Sequence, residues 1–189
     1  MKRIFIATSF VLIFLICFSM FIVKSYTIEN NNQDIQKSLT EWEKKNDSTK
    51  TDIKKIDKII DVPNVKEENP KLLKVVQLGD SNIYVAHYLL RDQTAFAVMK
   101  KGLNGKLKIK FSKTGSSRPM YDSYDSIKTN KGYFLVISGK KENNIKNINA
   151  KIHDIDMNYK LKIPDDKYYL IVKKMPESIK KRPNVELLF

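Results

Sequence analysis

Two short segments of the chain place lysine at every second position. Alternate residues of a β-strand share one face, so each segment would present a row of positive charge that attracts an anionic surface over about 8 Å at physiological salt. A simpler interpretation is that lysine keeps an edge strand from pairing with other chains. The lysines of the two rows are Lys106, Lys108, Lys110, Lys160 and Lys162.

Residues 112–123, with the sequence SKTGSSRPMYDS, form a polar connection between predicted strands. Long loops on a rigid sheet often carry binding residues, and Arg and Tyr are favoured contact residues at interfaces. We therefore take Arg118 and Tyr121 as further candidates for ligand binding. The alternative is a connection that crosses one end of the sheet without a binding role.

The sequence offers little for catalysis or for binding a metal. Its two histidines, His87 and His153, lie in predicted strands, and its single cysteine, Cys17, lies in an apolar N-terminal segment. Zinc sites need three or four such ligands, and no nucleophile motif surrounds any serine. We predict no catalytic residue, no metal and no cofactor. Two carboxylate pairs fit solvated turns better than a calcium loop: Asp122 with Asp125, and Asp154 with Asp156.

The lysine rows belong to a part of the chain whose apolar residues recur with a period of two. This period, with turn residues every eight to twelve positions, is typical of an all-β sandwich or barrel. Two segments, IYVAHYLL and YFLVI, are apolar on both faces, as central strands are. We predict eight antiparallel strands, and a ninth near 125–129, because a bare connection over 113–132 would be too long. The eight lie near 72–78, 83–90, 94–101, 106–112, 133–138, 145–153, 157–163 and 168–174.

Residues 25–69 differ from the part that follows. They are polar and contain one proline and no glycine, and Ile35, Leu39 and Trp42 recur at helical spacing. Ile53, Ile56 and Ile60 form a second stripe of the same kind. We predict a stalk with two short helices on a flexible spacer, or alternatively a weak coiled-coil seam.

The chain begins with an apolar segment that could cross a membrane. Residues 4–23 carry no charge, and twenty helical residues span about 30 Å, the thickness of a hydrocarbon core. No small-residue cleavage site follows, so we predict a retained anchor rather than a cleaved signal. Lys2 and Arg3 precede it, which favours a cytoplasmic N-terminus. The predicted organisation is a transmembrane anchor over 1–24, a stalk over 25–69 and a mostly-β extracytoplasmic domain over 70–189.

Positive charge is concentrated in the β-rich part. The chain has a net charge of +14, and residues 70–189 hold 24 of its 35 lysines and arginines but 11 of its 21 acidic residues. An anionic envelope surface or an acidic protein is the expected partner, beside the lipid bilayer. Nucleic acid is not an expected partner, because arginine is scarce in this domain and the predicted compartment is outside the cell. We predict a non-enzymatic binding or scaffolding module. The alternatives are a secreted factor released by cleavage near Ser25 and an exported hydrolase of envelope polymers.

Overall fold

A computed structural model describes residues 25–54, 69–115, 123–141 and 145–188, with the side chains of 47–54 left aside. The predicted membrane anchor at residues 4–23 therefore lies outside the described part. Within that part, no helix is both long enough and apolar enough to cross a membrane.

The described chain is mostly β-structure, as the sequence predicts. It contains one long helix, ten strands and a short 3-10 turn at His153–Ile155, and all strand pairs are antiparallel. The elements are α1 (Asn32–Lys54), β1 (Lys71–Gln77), β2 (Ile83–Leu90), β3 (Gln93–Lys101), β4 (Leu107–Thr114), β5 (Ser123–Thr129), β6 (Gly132–Lys140), β7 (Asn147–Ile152), β8 (Met157–Lys162), β9 (Tyr168–Lys174) and β10 (Val185–Leu188).

The strands form three sheets that stack as layers. The first sheet has the order β1-β2-β3-β4, the second β5-β6-β9 and the third β10-β7-β8. One apolar cluster joins the first and second sheets, and another joins the second and third. The predicted sandwich is thus extended by one layer, since a sheet that is apolar on both faces must be covered on both.

The two segments predicted as central strands are β2 and β6, which are buried almost throughout. In β6, Leu135 and Ile137 face the third sheet, whereas Phe134 and Val136 face the first. In β2, Tyr84 and its alternate neighbours face α1, and the intervening residues face the second sheet. The prediction from their apolar pattern is confirmed, because each strand has a packed layer on both sides.

Helix α1 covers the outer face of the first sheet. Ile35 and Leu39 are fully buried against β2 and β3. Gln36 accepts a hydrogen bond from the Leu72 backbone N–H at 2.6 Å and donates one to the Pro70 carbonyl, which fixes the helix to β1. The sequence predicts a stalk here, yet this part of it shares a core with the first sheet.

A buried polar contact adds to this packing and disfavours ionisation of a tyrosine. The Tyr88 hydroxyl donates a 2.6 Å hydrogen bond to Glu43. Burial and this carboxylate raise the pKa of Tyr88.

The helix is also longer than predicted. One helix runs to Lys54 where the sequence suggests two. Ser48 and Thr49 precede the second apolar stripe and are residue types that cap helices, which predicts a helix start there, but both lie inside the helix. Asn31 supplies the cap instead, since its side-chain oxygen accepts the Asp34 N–H at 2.9 Å. Ile56 and Ile60 of the second stripe lie outside the described residues.

The chain end is partly as expected. The residues after Pro176 predict a short helical turn, with Leu187, Leu188 and Phe189 docked on the domain. A turn does follow Pro176, since the Ile179 N–H donates to the Pro176 carbonyl at 3.2 Å, and Leu187 is buried. The difference is strand β10, which pairs with β7, buries Val185 as well and leaves Leu188 45% exposed. Phe189 lies outside the described residues. A run of four residues is too short to show a period of two, so the sequence does not distinguish this strand from an irregular tail. The predicted ninth strand near 125–129 is confirmed as β5.

Candidate functional site

The two lysine rows lie on edge strands of different sheets. Lys108 and Lys110 are on β4, at the edge of the first sheet, and Lys160 and Lys162 are on β8, at the edge of the third. Contacts between β4 and β5, and between Tyr124 of β5 and Val185 of β10, place β4, β5 and β10 along one side of the stack. Strand β8 lies on the other side, so the five lysines do not form one surface.

The first lysine of the β4 row has a partner of its own. Lys106 forms a 2.7 Å ion pair with Glu29, which raises the pKa of Lys106 through the hydrogen bond and the opposite charge. Among the described residues, Lys108, Lys110, Lys160 and Lys162 form no ion pair. The other two candidates, Arg118 and Tyr121, lie outside the described residues.

A cleft of about 780 Å³ opens between β3 and β4 of the first sheet and β5 of the second. This volume is in the range of small-molecule sites. We call it the cationic cleft, because five basic side chains and one acid line it: Lys100, Lys110, Lys113, Lys128, Arg182 and Asp125. Apolar side chains complete its lining, among them Ile83, Val98, Phe111 and Ile127.

A β-bulge turns two neighbouring side chains of β4 into the cleft. Val98 pairs with Phe111 and Met99 pairs with Ile109, so Lys110 is an extra residue without a partner across the strand pair. Because a bulge shifts the alternation of faces by one residue, Phe111 no longer shares the buried face of Ile109. It lines the cleft and is 36% exposed. In the sequence, Phe111 continues the alternation of Leu107 and Ile109 with the lysines, which predicts that it lies on the buried face. The bulge makes that prediction wrong.

Asp125 is the buried acid of the cleft. Its carboxylate forms a 3.1 Å ion pair with Lys113, a second ion pair with Arg182, and accepts the Ser126 N–H at 2.7 Å. Its side chain is 8% exposed, in strand β5 rather than in the solvated turn predicted for it. Lys113 also donates to the Tyr124 carbonyl at 3.1 Å, so this network ties β4 to β5. The partner in the predicted pair, Asp122, lies outside the described residues.

The other polar residues considered in the sequence analysis take part in packing or in surface contacts. His87 is buried on the face of β2 that packs on the second sheet, and burial together with nearby Lys74 lowers its pKa to about 4. His153 contacts Glu186 at 3.0 Å on the surface. Asp154 accepts the backbone N–H of Asn184 at 2.7 Å. Within the described ranges, no group of three His, Cys, Asp or Glu side chains could hold a metal ion.

Sequence analysis identified only one member of the cleft, Lys110, as a candidate. The others come from four separate segments, which the strand order brings together: Lys100 from β3, Lys113 from β4, Lys128 and Asp125 from β5, and Arg182 from the segment before β10. No local motif joins them. The signal that existed was the general excess of basic residues after position 70. Comparisons of the chain with protein-family models, with curated proteins and with solved structures found no match.

Proposed function

We propose that the protein is a single-pass, membrane-anchored binding protein of the cell envelope. Its cationic cleft would hold an anionic ligand that also has an apolar portion, with no chemical step. The observation that supports this proposal is the convergence of basic side chains around an apolar lining in one cleft.

The balance of charge in the cleft favours an anion. Asp125 already pairs with Lys113 and Arg182. Lys100 lies directly opposite Lys108 across the strand pair, and like charges in that position destabilise a sheet. Lys100 also shares the cleft with Lys110 and Lys128, and none of these three lysines forms an ion pair within the described part of the chain. A bound phosphate or carboxylate would offset this unbalanced positive charge.

The apolar lining favours a ligand with a hydrocarbon or aromatic part. Phe111 lies partly exposed beside Val98 and Ile127, which are buried except toward the cleft. Covering apolar surface contributes about 25 cal/mol per Å². Short-range polar contacts would then orient the charged end of the ligand while this surface holds the remainder.

The binding test uses the full chain in nanodiscs of neutral phosphatidylcholine and three soluble probes: inorganic phosphate, hexanol and hexyl phosphate. Isothermal titration calorimetry, corrected with empty nanodiscs, measures each affinity. We expect hexyl phosphate to bind more tightly than either fragment, and less tightly as salt rises. Equal affinity for hexanol and hexyl phosphate would contradict the proposal.

A matched pair of double variants locates the binding site. Lys100→Gln with Lys110→Gln removes two charges from the cleft and leaves the Asp125 network in place. Lys160→Gln with Lys162→Gln removes the same charge from β8. We expect the first pair to weaken hexyl phosphate binding about tenfold and the second to change it less than about twofold. An equal loss in both would mean that total charge, rather than the cleft, decides binding.

The proposed anchoring in the membrane, with the β-rich part outside the cell, has a separate test. The proposal requires residues 4–23 to remain in the membrane with the β-rich part outside the cell. Protease added to intact, wall-stripped cells should then remove that part, and cell fractionation should find the full-length chain in membranes. A shortened form in the medium would support release near Ser25 instead, and protection until lysis would reverse the orientation.

A further inference from the structure

The β3–β4 turn presents one aliphatic side chain to solvent on a fixed frame. Leu103 is 97% exposed. Around it, Gly102 donates to the Lys106 carbonyl at 2.8 Å and Gly105 donates to the Gly102 carbonyl at 3.1 Å. Gly105 has a φ of 79°, a conformation that glycine adopts without strain. The turn is therefore defined by its own hydrogen bonds, and the exposure of Leu103 is not relieved by folding back.

The segment that follows the predicted anchor is attached to this same turn. The Tyr26 ring lies so close to Gly102 that an added Cβ would be 2.7 Å from its Cγ. Asn104 donates to the Tyr26 carbonyl at 3.0 Å. Ile28 and Leu107 exchange two backbone hydrogen bonds of 3.1 and 2.7 Å. From Tyr26 onward, the chain is held on the β3–β4 hairpin rather than on a free stalk.

This attachment limits how far the turn can lie from the end of the apolar segment. That segment ends at Val23, three residues before Tyr26. Three extended residues span at most about 11 Å, and the interfacial layer outside the hydrocarbon core is several ångströms thick. If residues 4–23 cross the bilayer, as the proposed function holds, the turn must lie at or close to the headgroup layer.

Basic side chains surround the turn at this end of the stack. Lys100 and Lys101 precede it, and Lys108 follows it on β4. The β5–β6 turn lies at the same end, because Lys128 lines the cleft with Lys100, and it adds Lys131. The nearby acids are Glu29, which pairs with Lys106, Asp34, whose charge also acts on Lys106, and Asp80 of the β1–β2 turn.

We infer that the β3–β4 turn is a second membrane contact, in which Leu103 inserts into the bilayer surface and the adjacent lysines meet anionic headgroups. This inference rests on the anchor in the proposed function. An exposed aliphatic tip beside lysines suits the interface, where apolar and charged groups each find their preferred layer. The contact would hold the β-rich part against the membrane, with Lys100 of the cleft three residues from the inserted tip.

The test labels the turn in the full chain. In a Cys17→Ser background, Leu103→Cys carries the environment-sensitive fluorophore NBD, and the protein is reconstituted in vesicles of phosphatidylglycerol and phosphatidylcholine. Thr114→Cys is the matched control, since it is exposed at the far end of β4, about 23 Å from Leu107. We expect blue-shifted emission and quenching by doxyl-labelled lipid at position 103. At position 114 we expect quenching by aqueous iodide.

Each other outcome has a distinct meaning. If the chain floats with the vesicles but iodide quenches positions 103 and 114 equally, the membrane contact is overturned while the anchor stands. If position 103 is shielded from iodide yet not quenched by doxyl lipid, the turn contacts protein, and the lipid contact is again overturned. A chain that does not float with vesicles overturns the anchor and this inference together.

Discussion

The two interfaces of the second sheet differ in what fills them. Between the second and third sheets, the buried cluster is apolar, with fully buried residues such as Leu135, Ile137 and Ile148. Between the first and second sheets, an apolar cluster is bordered by His87, by a 2.7 Å hydrogen bond between Ser138 and Thr94, and by the cationic cleft. One interface is filled by apolar packing, whereas the other gives part of its area to buried polar groups and an open cleft.

A matched pair of substitutions tests this difference most strongly. Ile137 is fully buried toward the third sheet, and Ile127 is 5% exposed beside the cleft. Ile137→Ala should lower the free energy of unfolding by about 4 kcal/mol, because it leaves a closed cavity. Ile127→Ala should lower the free energy of unfolding by about 2 kcal/mol, because the space that it leaves joins the open cleft and is not a closed cavity. Urea denaturation measures both, and equal losses would remove the distinction between the interfaces.

Acid should act on the interface between the first and second sheets. The pKa of His87 is lowered to about 4 from 6.5, so the unfolded chain binds more protons between these values. Stability is then lost as pH falls from about 6.5 to 4, by about 3 kcal/mol from this group.

His87→Leu should remove that part of the pH dependence, as measured by urea denaturation at pH 7 and pH 4. The control is His153→Leu, at a histidine exposed in the 3-10 turn between β7 and β8. If the free energy of unfolding of His87→Leu still falls by the full amount between pH 7 and pH 4, other groups cause the pH dependence.

The Asp125 network should contribute less than packing does, and in a salt-dependent way. Asp125→Asn keeps the shape of the side chain but removes the negative charge that pairs with Lys113 and Arg182. Both cations are partly exposed and can return to water. We expect a loss of about 2 kcal/mol at low salt and less in 1 M salt. Asp165→Asn, at an exposed carboxylate paired with Lys141, should leave the melting temperature unchanged. A similar loss in both variants would show that burial of Asp125 does not matter.

The smallest effect on stability should coincide with an effect on binding. Phe111 is 36% exposed in the cleft, so Phe111→Ala should change the free energy of unfolding by less than about 1 kcal/mol. The same variant should weaken hexyl phosphate binding about fivefold. Leu188→Ala, at an exposed residue of the third sheet, is the control for both measurements. Unchanged binding with Phe111→Ala would exclude this side chain from the site.

The sequence predicts local structure better than it predicts the assembly of distant segments. The runs of β2 and β6 are apolar on both faces because each strand is covered twice, and this is visible in the residues themselves. The bulge at Lys110 is not visible, since it depends on pairing with Val98 and Met99 of another strand. For the same reason, the two lysine rows look alike in the sequence, although Lys110 of one row lines the cationic cleft and the other row lies on the opposite side of the stack. The grouping of Lys128 and Arg182 with Lys100 follows from sheet stacking, which a period of two does not encode.

Both outer strands of the first sheet take hydrogen bonds from residues that precede the β-rich part. Gln36 satisfies the backbone at the start of β1, and Ile28 satisfies the backbone of Leu107 at the start of β4. Unsatisfied strand edges promote aggregation. A chain shortened to begin at Ser25 would therefore keep both sets of hydrogen bonds. A chain that begins after Gln36 would lose both, and its two edge strands would be exposed to pairing with other chains. Expression boundaries for this protein should begin no later than Ser25.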